Sequence, residues 1–212
     1  MSHSLELTST DILLVVDVQN DFCDEGALAV PNGDQVVPVI NGLIDCFLHS
    51  IATQDWHPAD HQSFASSHND DLEPFSTTEL SYGPQILWPD HCIQGETGSA
   101  FHKDLDQDSL ELIIRKGFRK EIDSYSAFFE NDRSTTTGLT GYLKSRGIKR
   151  IFLCGLATDF CVYYSAIDAV KQGFETFVIA DACRAIDMDG SLAKAMTHMR
   201  ESGVEIISSD EL

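Results

Sequence analysis

Basic residues are scarce in this 212-residue chain: 14 Lys and Arg stand against 34 Asp and Glu, for a formal net charge of −20. A nucleic-acid binder needs a basic footprint to displace counterions, and docking on anionic lipid needs the same sign of charge. Both are excluded as functions. Long apolar runs are missing as well. The longest, such as 12–16 and 151–154, fall far short of the ~20 residues a membrane-spanning helix needs. Residues 1–10 are polar and include Glu6, so they do not resemble a secretory signal. A cytoplasmic protein is expected. Cys23, Cys46, Cys92, Cys154, Cys161 and Cys183 form no C-x-x-C pair. In a medium-sized chain without a secretory signal they read as free thiols rather than a disulfide framework. Neither G-x-G-x-x-G nor G-x-x-x-x-G-K-[ST] is present, so no nucleotide cofactor is expected.

What is present is a globular composition, 42% apolar and 23% charged, which rules out disorder. The length fits one domain spanning residues 1–212 at ~150 residues per domain. The pattern along the chain is strand, helix, strand, repeated. Residues 11–18 form a nearly continuous apolar run, the mark of a strand buried on both faces. Residues 33–49 carry apolar side chains at helical spacing, and 50–55 read as a strand. Residues 56–108 are long, polar and aperiodic, which points to a functional loop region. Strands are then expected at 110–115, 149–154, 174–180 and 204–208, and helices at 135–146, 159–172 and 190–202, the helices closed by Gly147, Gly173 and Gly203. This alternation predicts an α/β fold: a three-layer, Rossmann-like arrangement of about six mostly parallel strands with helices on both faces.

In such sheets ligands bind beyond the carboxyl ends of the strands. Asp17 falls there in VVDVQNDF, Asp55 and His57 in TQDWHP, Lys116 in IIRKGF, and Cys161 after CGLATDF. Cys161 should lie in the first turn of a helix capped by Thr158 or Asp159, where unpaired N–H groups and the helix dipole favour a thiolate. Asp17 in an apolar strand is costly unless paired. It reads either as a structural ion pair or as a general base, with Lys116 holding both charges in register. Asp55 and His57 project to one side of an extended segment, and His91 in WPDHC is the best third metal ligand. His61 is a weaker ligand candidate, and His68 and His102 read as solvated loop residues. Phe22 and Trp88 are either core aromatics or the walls of a slot for a flat ring.

Together VVDVQNDFCDEGALAV, TQDWHP, WPDHCIQGETGSAFH, the lysine of IRKG and GLATDFCV resemble the nicotinamidase/pyrazinamidase branch of the isochorismatase-like cysteine hydrolases. That resemblance implies an isochorismatase-like hydrolase fold with the metal-binding loop at about 56–108. It implies Asp17, Lys116 and Cys161 as a triad, and Asp55, His57 and His91 as ligands of one divalent metal, Zn2+ foremost, with Fe2+ and Mn2+ as alternatives. Phe22 and Trp88 would flank the ring, with Leu156 at the substrate and the backbone amides of Ala157 and Cys161 as an oxyanion hole. A cis peptide is expected between Leu156 and Ala157, and Tyr125 is a further pocket candidate. The implied reaction is hydrolysis of nicotinamide to nicotinate and ammonia in NAD salvage, with pyrazinamide as a second substrate. The rival readings are a sister amidase for carbamoyl or ureido substrates and a metal-binding protein without catalysis. The small-molecule substrate is the expected partner, and a homo-oligomer is compatible with the sequence.

Overall fold

The computed structural model describes residues 5–68 and 72–212; the start of the polar stretch 1–10 and a short part of the 56–108 loop region lie outside them. Among the described residues there are eight strands: β1 (Asp11–Val16), β2 (Ser50–Asp55), β3 (Thr77–Leu80), β4 (Gly83–Ile86), β5 (Leu112–Lys116), β6 (Arg150–Leu156), β7 (Glu175–Arg184) and β8 (Glu205–Ile207). Six of them form one sheet in the order β5-β2-β1-β6-β7-β8, every pair parallel. β3 and β4 pair separately as an antiparallel hairpin within the long loop region. The central strands β1 and β2 are buried at every position, which is why their sequences lack the alternation of a one-sided strand.

Among the described residues four α-helices accompany the sheet: α1 (Val36–Cys46), α2 (Leu139–Ser145), α3 (Tyr163–Lys171) and α4 (Ser191–Glu201). α1 packs on β1, β6 and β7, whereas α3 and α4 pack on each other and on β7 and β8 respectively. The strand order runs one way from β1 to β5 and the other way from β6 to β8. Right-handed crossovers therefore place the two sets of helices on opposite faces. The reversal falls between β1 and β6, so the crevice for a ligand opens at their carboxyl ends. No helix among the described residues is long and apolar enough to cross a membrane.

Several boundaries shift from the sequence reading for local reasons. β1 stops at Val16 because Asp17 turns into the left-handed region, φ 47°. The helix expected at 33–49 is a 3-10 turn, Gly33–Gln35, followed by α1. The one expected at 135–146 begins only after Gly138, φ 95°. The helix expected at 159–172 splits into a π turn, Thr158–Val162, and α3. β7 runs on to Arg184, beside an irregularity in β6 between Leu153 and Gly155. Gly155 has φ 113°, and a Cβ there would sit 2.1 Å from the Val16 carbonyl oxygen. Only glycine lets β6 pass this close to the end of β1.

At the opposite end of β1, Asp11 is buried. Its carboxylate accepts hydrogen bonds from Arg150 Nε at 2.7 Å, from Arg150 Nη2 and from the Thr8 N–H. Burial pushes the Asp11 carboxyl up, but these bonds and the guanidinium charge outweigh it and hold the group below its ordinary value of 3.8. A depressed folded value means the stabilisation is complete above 3.8 and lost as pH falls through the folded value. Asp11→Ala should therefore cost about 2–4 kcal/mol near neutral pH. The gap between wild type and variant should narrow in acid, as read from denaturant midpoints across a pH series.

Candidate active site

The strand ends deliver their polar residues to one place. Asp55 and Lys116 are register partners on β2 and β5, and Asp17 follows β1. The Lys116 ammonium is wholly buried. It lies 2.8 Å from Asp17 Oδ2 and 2.5 Å from Asp55 Oδ1, and donates to the Ser124 carbonyl at 2.9 Å and to Cys161 Sγ at 3.4 Å. Burial works against the ammonium, but the two carboxylates and the sulfur outweigh it and hold Lys116 well above its ordinary value. Burial likewise opposes the Asp55 anion, yet Lys116 and His57 keep its carboxyl below the usual range. For Asp17 burial wins over Lys116, with Asp55 adding to it, and the carboxyl is raised. Its Oδ1 accepts the Thr53 hydroxyl at 2.7 Å.

Cys161 corrects one expectation. Burial, with the Asp17 and Asp55 charges added, outweighs Lys116 and pushes the thiol well above its ordinary value. These groups favour the thiol form of Cys161 beside the Asp17 carboxylate over a thiolate held by a helix end. The local geometry agrees. Cys161 sits in a π turn whose N-cap is Ala157, with no side-chain cap. Asp159 does not cap that turn; its carboxylate accepts the N–H groups of Ile186 at 3.1 Å and Asp187 at 2.8 Å. The Ala157 carbonyl accepts from Phe160 and Val162, closing the turn around Cys161, and the Leu156–Ala157 peptide is cis.

The second oxygen of Asp55 faces His57 Nε2 at 3.6 Å and His91 Nε2 at 3.9 Å. His57 Nδ1 donates to the Gly117 carbonyl and His91 Nδ1 to the Pro89 carbonyl, each at 2.8 Å. Those backbone bonds assign the ring protons to Nδ1 and leave both Nε2 lone pairs free. Burial, and then the neighbouring His57, push His91 down to about 4, so it is a neutral donor. One carboxylate oxygen and two imidazole nitrogens, mutually within 4.8 Å and buried, make a donor set that fits a metal ion. Their backbone anchors supply the outer support such ligands need. His61 is buried, with its ring centroid 4.4 Å from that of His57. Both its nitrogens already have protein partners, Ser63 Oγ at 2.7 Å and the Ile122 carbonyl at 3.3 Å. His68 contacts the Gln62 carbonyl. His102 is not a solvated loop residue; it pairs with Asp34 at 3.0 Å.

These groups border a small pocket. Phe22, Trp88, His91 and Tyr125 form part of its wall, and Asp55, Ala157 and Cys161 also face it. Trp88 is fixed by donating from Nε1 to Tyr125 Oη at 3.0 Å and by an edge contact with Phe160 at 5.0 Å. Leu156, expected at the substrate, does not line the pocket. It is wholly buried with its side chain near Gly33, because successive residues at a strand end face opposite ways and the pocket position falls to Ala157. Sequence reasoning missed Leu28, Asp123, Phe160 and Ile186 in the wall. It also missed Thr53 and Gln19, whose amide bonds both the N–H and the carbonyl of Asp55 at 2.8 Å. Thr53 carried a readable signal, since it shares a strand face with Asp55 two residues on.

The profile of the isochorismatase domain matches residues 11–211. The chain is 56% identical over 197 residues to a nicotinamidase of Acinetobacter baylyi, covering 93% of this chain and 92% of that protein. Among solved structures it resembles a nicotinamidase/pyrazinamidase of Acinetobacter baumanii at TM-score 0.95 and 53% identity, covering 97% of this chain and 99% of the other. A pyrazinamidase of Pyrococcus horikoshii in complex with zinc follows at TM-score 0.75 and 34% identity, with 94% and 99% covered. The chain belongs to the isochorismatase family.

The metal-binding arrangement generates a sharp prediction. Gly117 has φ 64°, and a Cβ there would lie 2.3 Å from His57 Cε1. Gly117→Ala should displace His57 and lower metal affinity about 10–100-fold. Competition with a chromogenic chelator measures the change, with circular dichroism confirming that the variant is folded.

Proposed function

We propose that this chain is an amidohydrolase that converts nicotinamide to nicotinate and ammonia, and also accepts pyrazinamide, through a cysteine thioester. The observation that carries the reading is the single buried ammonium of Lys116 in contact with Asp17, Asp55 and Cys161 beside an aromatic-walled pocket. Asp55, His57 and His91 would hold one divalent metal, read as Zn2+ with Fe2+ or Mn2+ as alternatives. When bound, the metal supplies a Lewis acid for the ring nitrogen of the substrate. Phe22 and Trp88 confine the ring so that the carboxamide carbon faces Cys161.

The remaining chemistry falls to the chain's own residues. Asp17 takes the thiol proton as Sγ attacks the amide carbon. The N–H groups of Ala157 and Cys161 receive the oxyanion, at about 3 kcal/mol per donor. Asp17 returns the proton to the departing amine, and ammonia leaves. Asp17 then takes a proton from water as the oxygen attacks the thioester, releasing nicotinate and restoring the thiol. Throughout, Lys116 compensates the charge that moves between Asp17 and Cys161. The aromatic slot, the metal donor set and the relatives named nicotinamidase support this substrate over a ureido one. On this reading the reaction serves NAD salvage in the cytoplasm.

Ammonia release from nicotinamide tests the assignment. Cys161→Ala should lower kcat by at least about 10⁴-fold, with Asp17→Asn comparably impaired, as expected for residues that act as a unit. Chelation should abolish turnover, and re-addition of a divalent metal should restore it. Full activity in Cys161→Ala overturns the thioester route. Activity that persists after complete metal removal overturns the role given to Asp55, His57 and His91.

A further inference from the structure

A second cluster of metal-ligand chemistry lies apart from the site above. Cys23 Sγ, an Asp34 carboxylate oxygen and a His102 ring nitrogen are mutually within 4.8 Å. The three come from separate segments: Cys23 directly follows Phe22, Asp34 lies in the turn Gly33–Gln35, and His102 follows Phe101 and is anchored by its N–H on the Val18 carbonyl at 2.9 Å. His102 Nε2 faces Asp34 Oδ1 at 3.0 Å, and the other Asp34 oxygen accepts the Asp24 N–H at 2.9 Å. The cluster borders an open surface cavity, and the side chains of Asp34 and His102 are 34% and 15% exposed. An ion can therefore reach it from solvent.

We propose that Cys23, Asp34 and His102 form a second, zinc-selective cation site that locks the loop carrying Phe22. Thiolate, imidazole and carboxylate are the donors zinc takes, and a thiolate disfavours calcium and magnesium. The spacing lets modest side-chain rotation bring all three to the ~2.0–2.3 Å of zinc bonds, with Asp24 or water completing four. Without a cation, burial and the Asp34 and Asp24 carboxylates push the Cys23 thiol up to about 12. Loading releases that proton to solvent as the sulfur binds the ion. It also moves the ring proton of His102 to Nδ1 and gives up the long Asp104 N–H contact at 3.2 Å. Because Phe22 is the next residue to Cys23 and Leu28 lies in the same loop, the ion fixes one wall of the substrate pocket from outside it.

The experiment starts from protein already carrying one metal per chain and titrates zinc chloride. Wild type should take up a second equivalent. Cobalt(II) at that site should give thiolate-to-metal charge-transfer absorption in the near ultraviolet, retained in Cys161→Ser and lost in Cys23→Ser. Asp34→Asn and His102→Gln, which keep side-chain shape, should each stop at one equivalent while staying folded by circular dichroism. Added zinc should slow amide exchange in residues 20–35 at least about tenfold in wild type alone. A wild type that stops at one equivalent overturns the proposal. So does a second equivalent retained by all three variants, or exchange that zinc leaves unchanged. None of these readouts depends on turnover, so they stand apart from the nicotinamide assay.

Discussion

The Lys116 ammonium is the constraint on which the catalytic end of the molecule depends. It is removed from water and shared among two carboxylates and a sulfur. A buried cation of this kind survives only if its partners overcompensate its lost hydration, and here two anions do so. The same arithmetic explains the protonated thiol. Burial, with the Asp17 and Asp55 carboxylates beside it, outweighs Lys116 and disfavours the Cys161 anion. The proposed nucleophile is thus held in reserve beside the group proposed to take its proton. Asp55 divides its oxygens, one to Lys116 and one toward His57 and His91. One carboxylate therefore belongs to both the nucleophile and the metal-binding set, and neither half can shift without the other.

Backbone geometry makes this crowding feasible. β2 and β5 pair Asp55 with Lys116 in register, so the central contact follows from the sheet itself. Gly155 lets β6 close on β1, and Gly117 leaves room for the His57 ring while its carbonyl fixes the ring's tautomer. Gln19 grips the Asp55 backbone from the loop after β1, joining the second strand end to the first. Asp159 performs a parallel task across the pocket by holding the backbone of Ile186 and Asp187. These polar ties anchor loops that a hydrophobic core alone would leave poorly located.

Much of this architecture is legible in the sequence. The continuous apolar run of β1, with strands and helices alternating after it, fixes a parallel sheet by burial periodicity. The carboxyl ends of its strands then single out Asp17, Asp55, Lys116 and Cys161. What stayed hidden has a common character. Asp123, Leu28 and Ile186 reach the pocket through loop paths that no periodicity encodes. Gln19 and Thr53 act through hydrogen bonds to the chemically obvious residues rather than by their own chemistry. Leu156 was misplaced because a motif identifies a segment, while the facing of each side chain depends on where the strand ends. His102 looked solvated because its partner, Asp34, is distant in sequence.

The cysteine shows most clearly why position along the chain underdetermines chemistry. A thiol expected at a helix start suggests an acidic, preformed thiolate, and the helix dipole supports that inference when the site is wet. Here the turn is a π turn, Cys161 is buried, and oxygens of two carboxylates, Asp17 and Asp55, lie within 4.8 Å of its sulfur. Desolvation and like charge then decide the protonation state. A resting thiol reacts poorly with stray oxidants, because oxidation follows thiolate character and access. Under the proposed mechanism, reactivity is confined to the moment when a bound amide presents its carbonyl and the proton passes to Asp17. The burial that makes Cys161 look inert is what couples its activation to an occupied pocket.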